Sequence, residues 1–304
     1  MKLKTKDLLT LDELSPKELS KIIDLAIKLK KNLKTGSIKP ILKNKTLAMI
    51  FQKPSTRTRV SFETGMAQLG GNALNLSSNE LQLSRGESIE DTARSLSGYV
   101  DIIMARVYDH KILETLASSA SVPVINGLSD SFHPCQILAD LMTIKEKKKK
   151  LKGLKIAWIG DGNNVCNSLI YGCAKTGINI SIATPKGFEP DANVIKKCKK
   201  NIKIEITRIP ETAIKNADVI MTDTFTSIHN IDKKREKKFL PTFQVNSSLM
   251  KKGKRNVIFM HCLPAKRGKE VTSSVIDGSQ SVVWEQAENR LHSQKALLAS
   301  LLGI

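Results

Sequence analysis

The chain is poor in aromatic residues and has no long apolar run. Its 304 residues include Trp 2, Tyr 3 and Phe 8, a thin supply for a protein that reads single-stranded nucleic acid by stacking bases on rings. No stretch approaches the ~20 consecutive apolar residues that a membrane-spanning helix needs. The opening MKLKTKDLLTLDELS turns polar and charged within a few residues, so no secretory leader is expected there. Cysteine is sparse as well: five residues, at 135, 166, 173, 198 and 262, odd in number and without a CxxC pair. They predict reduced thiols in a reducing compartment, hence the cytoplasm. Acidic side chains are scarce beside basic ones, 29 against 49, for a net charge of +20. Such an excess suits phosphate-rich partners, yet it consists of 39 Lys and only 10 Arg. The lysines spread along faces and loops, with runs at Lys147–Lys150, Lys233–Lys238 and Lys251–Lys254. Arginine forks that read base edges are few. The expectation is a solvated lysine-rich surface and no nucleic-acid partner.

What is present is the pattern of an α/β protein. The length suits two domains of about 150 residues. Ser15-Pro16-Lys17-Glu18 is a capping box that opens a helix to about Lys31. Thr46–Phe51 reads as an apolar strand, followed by a helix from Thr56 to Leu69 that Gly70-Gly71 ends. Further strands are expected at 72–76, 101–107, 122–125, 155–159, 179–183, 203–206, 219–222 and 257–260. Helices are expected between several of them, from His133 into the lysine run at 147–150, and from Trp284 to the end. This alternation predicts two doubly wound domains, each a parallel sheet flanked by helices, with the active site in the cleft between them. The lysine run and Gly153 place the boundary, giving 1–147, onto which the terminal helix 286–304 packs back, and 148–285.

In such sheets ligands sit beyond the carboxyl ends of strands. Ser55-Thr56-Arg57-Thr58-Arg59 lies there, at the start of a helix. Its backbone N–H groups and dipole favour an anion, and Arg57 adds a planar fork for a phosphate. A helix cap alone needs one hydroxyl, not three interleaved with two arginines. Arg106 ends another strand, and His133-Pro134-Cys135-Gln136 opens another helix; together they offer cationic or neutral donors to a carbonyl oxygen. Gly160-Asp161-Gly162-Asn163-Asn164-Val165 begins like a dinucleotide fingerprint but has Val165 where the third glycine belongs, which argues against a nicotinamide cofactor. Asp223-Thr224-Phe225-Thr226-Ser227 offers a carboxylate and hydroxyls to an ammonium group. In His261-Cys262-Leu263-Pro264, neighbours in an extended segment are expected to point to opposite sides, which disfavours a shared metal. A nucleophilic Cys262 would need an oriented base.

In this order, over the full length, these elements resemble the ornithine carbamoyltransferases, within the aspartate/ornithine carbamoyltransferase superfamily. The resemblance rests on STRTR, RGESIEDTARSL, Arg106, HPCQ, Asn167, DTFTS, HCLP and AENRLHSQKALL. It implies carbamoyl transfer from carbamoyl phosphate to L-ornithine, without cofactor or metal, in a homotrimer. Ser55, Thr56, Arg57 and Thr58 would hold the phosphate. Arg106, His133 and Thr58 would polarise the carbonyl, and Gln136 and the Leu263 carbonyl would hold the carbamoyl nitrogen. Arg290 would approach from the terminal helix, and Gln82 would reach into a neighbouring subunit's site. Asn167, Asp223, Ser227 and Ile228 would bind ornithine, with Cys262 beside the reacting δ-amine. The chain departs from the family at Ser227-Ile228-His229, where Ser-Met-Gly is usual; histidine restricts a backbone that glycine leaves mobile. A related acceptor, putrescine or N-acetylornithine, is the alternative.

Overall fold

The computed structural model describes residues 3–77, 81–226 and 233–304. Its strands are β1 (Thr46–Phe51), β2 (Asn72–Ser77), β3 (Ile102–Arg106), β4 (Val124–Leu128), β5 (Lys155–Ile159), β6 (Asn179–Ala183), β7 (Ile204–Thr207), β8 (Val219–Thr222) and β9 (Ile258–His261). The helices are α1 (Pro16–Lys34), α2 (Thr56–Gln68), α3 (Ile89–Ser97), α4 (His110–Ser119), α5 (Pro134–Lys148) and α6 (Asn164–Thr176). They continue as α7 (Ala192–Cys198), α8 (Pro210–Ile214), α9 (Lys233–Phe239), α10 (Ser247–Met250), α11 (Ser273–Ile276) and α12 (Val283–Leu301). Among the described residues no helix is long and apolar enough to cross a membrane. The chain divides into two compact units, one comprising residues 1–142 and 289–304, the other residues 143–288.

The first unit contains a four-stranded parallel sheet in the order β2-β1-β3-β4. Alternate residues of a strand face opposite sides. Ala48, Ile50, Ile103 and Ala105 pack with Ala93 of α3 and with Leu113, Leu116 and Ala117 of α4. Their neighbours Leu47, Met49, Ile102 and Met104 are also buried, so the central strands are covered on both faces, as parallel sheets require. Helix α1 forms where expected. Ser15 Oγ accepts from the Glu18 N–H while the Glu18 carboxylate accepts from the Ser15 N–H at 2.9 Å. Its apolar face, Leu19, Ile22, Ile23, Ala26 and Leu29, is buried at helical spacing.

The second unit holds a five-stranded parallel sheet, β7-β6-β5-β8-β9. Ala157, Ile159, Ile220 and Phe259 pack against Ala213, Ile214, Phe239, Leu249 and Met250 of the short helices on one side. The two sheets share a local device. Asp101 accepts from the Thr46 N–H at 2.8 Å, just ahead of β3, and Asp218 accepts from the Lys155 N–H at 2.9 Å, just ahead of β8. Each carboxylate binds a backbone N–H at the start of the central strand beside it, β1 or β5.

Both strand orders reverse at one place. In the first sheet the chain leaves β1 toward β2 on one side, then returns to β3 on the other; in the second it does the same at β5 and β8. Helices depart to opposite faces at such a point and open a crevice at the carboxyl ends. Ser55 follows β1 and Arg106 ends β3. The turn Gly160–Asn163 follows β5, and Asp223 follows β8.

Candidate active site

In the first unit, Ser55 caps α2. Its Oγ accepts from the Thr58 N–H at 3.4 Å and donates to Thr58 Oγ1 at 3.1 Å. Thr58 is buried, whereas Thr56 and Arg57 are exposed at the helix mouth. The first-turn N–H groups and the dipole favour an anion there. Arg59 is exposed on the helix flank and ion-pairs with Glu63 one turn on, at 2.9 Å.

Around Thr58 the fold gathers polar groups out of water. Arg106, His133, Gln136 and Arg290 are all buried. Arg290, on α12, donates from Nη1 to Gln136 Oε1 at 2.7 Å and from Nη2 to Thr58 Oγ1 at 3.4 Å. Gln136 donates from Nε2 to Asp140 Oδ1 at 2.8 Å. Its amide orientation is thereby set, with the oxygen turned to the guanidinium. A carboxamide oxygen has two lone pairs, so it can accept a ligand N–H as well. Burial, then the neighbouring Arg290, Arg106 and Arg57, hold His133 well below the usual histidine range. Its imidazole is neutral at physiological pH and can offer a neutral N–H donor. Beside it, burial pushes the Cys135 thiol up to about 12, which leaves it inert as a nucleophile.

In the second unit, Asp223 Oδ1 accepts from the Thr224 N–H at 2.7 Å and from Cys262 Sγ at 3.1 Å. Asp223 Oδ2 accepts from Asn163 Nδ2 at 2.8 Å. Asn163 in turn caps α6, accepting from Val165 and Cys166. Asn167, one turn into α6, accepts from the Asp191 N–H at 3.0 Å. That bond fixes the amide's orientation, and its NH₂ end is a donor of the kind that suits a carboxylate. The glycines of the β5–α6 turn serve packing. A Cβ on Gly162 would run into the backbone of Glu189 and Pro190, and Gly160 holds φ +125 with Phe225 at 3.0 Å from its Cβ position. Trp158 Nε1 donates to the Asp161 carbonyl at 2.9 Å and braces the same turn.

The expectation that His261 and Cys262 point apart is overturned. One ligand atom each from Asp223, His261 and Cys262 lie within 4.8 Å of one another. Strand β9 ends at His261, and Leu263 is left-handed at φ 58, so strand alternation does not extend past His261. The His261 ring is committed elsewhere, however. Its Nδ1 accepts from the Leu263 N–H at 2.9 Å, and its Nε2 faces buried Glu270 at 3.2 Å. With both nitrogens engaged, His261 is a bracket for the HCLP turn, and only the thiol and Asp223 remain as metal donors. Cys262 is the one partly exposed thiol of the five.

The structure thus gathers Ser55, Thr58, Arg106, His133, Gln136 and Arg290 in one unit, and Asp223 and Cys262 in the other. Leu263 follows Cys262, and Asn167 lies on α6 of the same unit. Gln82 is exposed on a 3-10 turn, Gln82–Arg85, and bonds its carbonyl to Glu87 N–H at 3.1 Å. Ser227 and Ile228, with His229, lie outside the described residues. Asp140 and Asn163 as direct partners of site residues escaped the sequence reading. Asp140 stands four residues after Gln136 on a helix, the spacing that makes such pairs meet. Asn163 gave no comparable signal, because its partner lies 60 residues away.

Comparison with known proteins agrees with this geometry. Residues 6–146 match the family described as aspartate/ornithine carbamoyltransferase, carbamoyl-P binding domain, and residues 152–301 match its Asp/Orn binding domain. The chain is 63% identical over 301 residues to an ornithine carbamoyltransferase of Cenarchaeum symbiosum, covering 99% of both. It is 54% identical to the anabolic ornithine carbamoyltransferase of Pyrococcus furiosus, covering 98% of this chain and 96% of that one. Among solved structures, the ornithine carbamoyltransferase from Pyrococcus furiosus superposes with a TM-score of 0.94 at 55% identity, covering 98% and 97% of the two chains.

Proposed function

The chain belongs to the aspartate/ornithine carbamoyltransferase family, and on that premise we propose that it transfers the carbamoyl group of carbamoyl phosphate to the δ-amine of L-ornithine, giving L-citrulline and phosphate. The observation that carries the reading is the buried set Thr58, Arg106, His133, Gln136 and Arg290 around the mouth of α2. It combines donors for a phosphate and a carbonyl oxygen with an acceptor for an amide nitrogen, which are the three polar parts of carbamoyl phosphate.

In this reading the first unit carries carbamoyl phosphate and the second carries ornithine. Ser55, Thr56, Arg57 and Thr58 bind the phosphate, aided by Arg290 and by Gln82 of a neighbouring copy in a homotrimer. Arg106, neutral His133 and Thr58 donate to the carbonyl oxygen. Gln136 Oε1 and the Leu263 carbonyl accept from the carbamoyl NH₂. Asp223 takes the α-ammonium, Asn167 the α-carboxylate, and Ser227 and Ile228 complete the ornithine side, with Cys262 beside the δ-nitrogen. The δ-amine attacks the carbamoyl carbon. The tetrahedral oxyanion is held by fixed donors, the C–O bond to phosphate breaks, and the nitrogen sheds a proton as phosphate leaves. Preorganised donors of this kind are each worth about 10²–10³ in rate, and positioning supplies another large term. No metal or cofactor enters the mechanism. The five thiols support a reducing compartment, the cytoplasm.

Asn167 favours an acceptor with a carboxylate over a diamine. The test is to supply carbamoyl phosphate with ornithine, putrescine, N-acetylornithine or aspartate in turn. Product is expected from ornithine; product from putrescine alone would overturn the acceptor assignment.

A further inference from the structure

We propose that Gln294 is a positioning residue for the Arg290 guanidinium, coupling α12 to the first turn of α2. The inference rests on the reading of the first unit as the carbamoyl phosphate site and goes beyond it by assigning a residue that does not touch the ligand.

Gln294 lies one helical turn after Arg290 and is fully buried. With its amide oxygen toward the guanidinium, Oε1 accepts from Arg290 Nη2 at 2.9 Å and from Nε at 3.2 Å. Its Nε2 then donates to Ser61 Oγ at 2.5 Å. The opposite orientation would set an NH₂ against two guanidinium donors and leave an oxygen facing the Ser61 hydroxyl, whose proton is already committed, so the neighbours select one orientation. Ser61 donates to the Arg57 carbonyl at 2.6 Å, with the Thr58 carbonyl at 3.2 Å. These are the carbonyls of two of the four residues expected to hold the phosphate. A continuous chain therefore runs from Arg57 and Thr58 through Ser61 and Gln294 to Arg290, all within one unit.

The chemistry explains why glutamine serves. A guanidinium presents five donors in a rigid plane. Gln136 takes Nη1 and Thr58 takes Nη2, while Gln294 holds the Nε edge. Fixing the guanidinium at two sides stops rotation of its plane, so its remaining N–H directions are set before the ligand arrives. A carboxylate at 294 would hold the guanidinium as well, but it has no N–H for Ser61. An apolar side chain of the same length would do neither.

The test compares Gln294→Met, Gln294→Glu and Ser61→Ala with the unaltered chain in one citrulline assay, varying carbamoyl phosphate and ornithine separately. Gln294→Met is expected to raise KM for carbamoyl phosphate about tenfold or more, the scale of a lost hydrogen bond to a charged group. KM for ornithine should stay within about twofold, since its residues lie on the other unit. Gln294→Glu keeps the acceptor and is expected to restore KM for carbamoyl phosphate to within about threefold of the unaltered value. Ser61→Ala is expected to raise the same KM about two- to fivefold, the scale of one neutral hydrogen bond. An unchanged KM in Gln294→Met, an equal rise in both KM values, or no rescue by glutamate would each overturn the proposal. If the methionine variant does not fold, the glutamate and Ser61→Ala variants decide it by the same criteria. Failure of the unaltered chain to form citrulline would instead refute the underlying reading.

Discussion

The Arg290 guanidinium donates to the Gln136 carboxamide oxygen at 2.7 Å, and Gln136 donates in turn to Asp140 at 2.8 Å. The glutamine is held at both ends, so its oxygen is presented to the ligand without a search over rotamers. Gln136→Ala removes the acceptor that the proposed function assigns to the carbamoyl nitrogen and leaves the Arg290 donor and the Asp140 carboxylate to reorganise. It should lower kcat/KM for carbamoyl phosphate about 10- to 100-fold and leave KM for ornithine nearly unchanged. Steady-state kinetics with each substrate varied would check this; an equal loss for both substrates would point to general damage.

His133 differs from a titrating histidine. Burial and three arginines hold its pKa well below 6.5, so the imidazole is neutral across the assay range. Between pH 6 and 9 its protonation does not change, and its donor strength is constant. His133→Gln keeps a neutral N–H donor near the same place. It is expected to lower kcat by no more than about 10²-fold without moving the inflection of log kcat against pH. A displaced inflection would show that a charged imidazolium is the acting form.

The nucleophile sets the pH dependence instead. An aliphatic amine has an intrinsic pKa of about 10.4 and must lose a proton to attack, so the rate should rise with pH. A flat profile from pH 6 to 9 with chemistry limiting would contradict the mechanism. Asp223, which accepts from Cys262 at 3.1 Å and Asn163 at 2.8 Å, is the carboxylate that the proposed function assigns to the substrate's ammonium. Asp223→Asn should raise KM for ornithine about 10- to 100-fold while KM for carbamoyl phosphate holds.

Lys295 carries a stability prediction. It is fully buried on α12, its Nζ donates to Gln68 Oε1 at 2.8 Å, and burial lowers its pKa to about 8. The folded state therefore binds fewer protons than the unfolded state between about pH 8 and about 10.5, and stability rises with pH across that window. The benefit is complete above the unfolded value and is lost as pH falls to about 8. Lys295→Met has no such dependence. The difference in Tm, variant minus unaltered chain, should be larger at pH 7 than at pH 10, by the equivalent of at most about 3 kcal/mol. Equal differences at both pH values would contradict the account.

Most of the scaffold was legible because its signals are local. The Ser15 capping box, the strand TLAMIF and the run KIAWI formed where short-range pattern placed them; both strands have the expected ends, and α1 continues past Lys31 to Lys34. The short helices α7, α8, α10 and α11 were not read, since four to seven residues carry too little periodicity and tertiary packing decides them. In the site, Ser55, Arg106 and Asp223 were visible as polar residues ending strands. The neutrality of His133 was not, because it arises from arginines up to 157 residues away in sequence. The approach of Cys262 to Asp223 was likewise hidden, because it depends on where β9 ends and the chain turns at Leu263. Arg59 stands beside the four residues expected to hold the phosphate, and its position on the helix pairs it with Glu63.

The most direct measurement follows the carbon itself. The protein is incubated with ornithine and carbamoyl phosphate labelled with ¹³C at the carbonyl, and products are read by NMR alongside phosphate release. The account expects the label in the ureido carbon of citrulline, in step with phosphate. Phosphate released without labelled citrulline, with the label going to bicarbonate, would contradict carbamoyl transfer to ornithine.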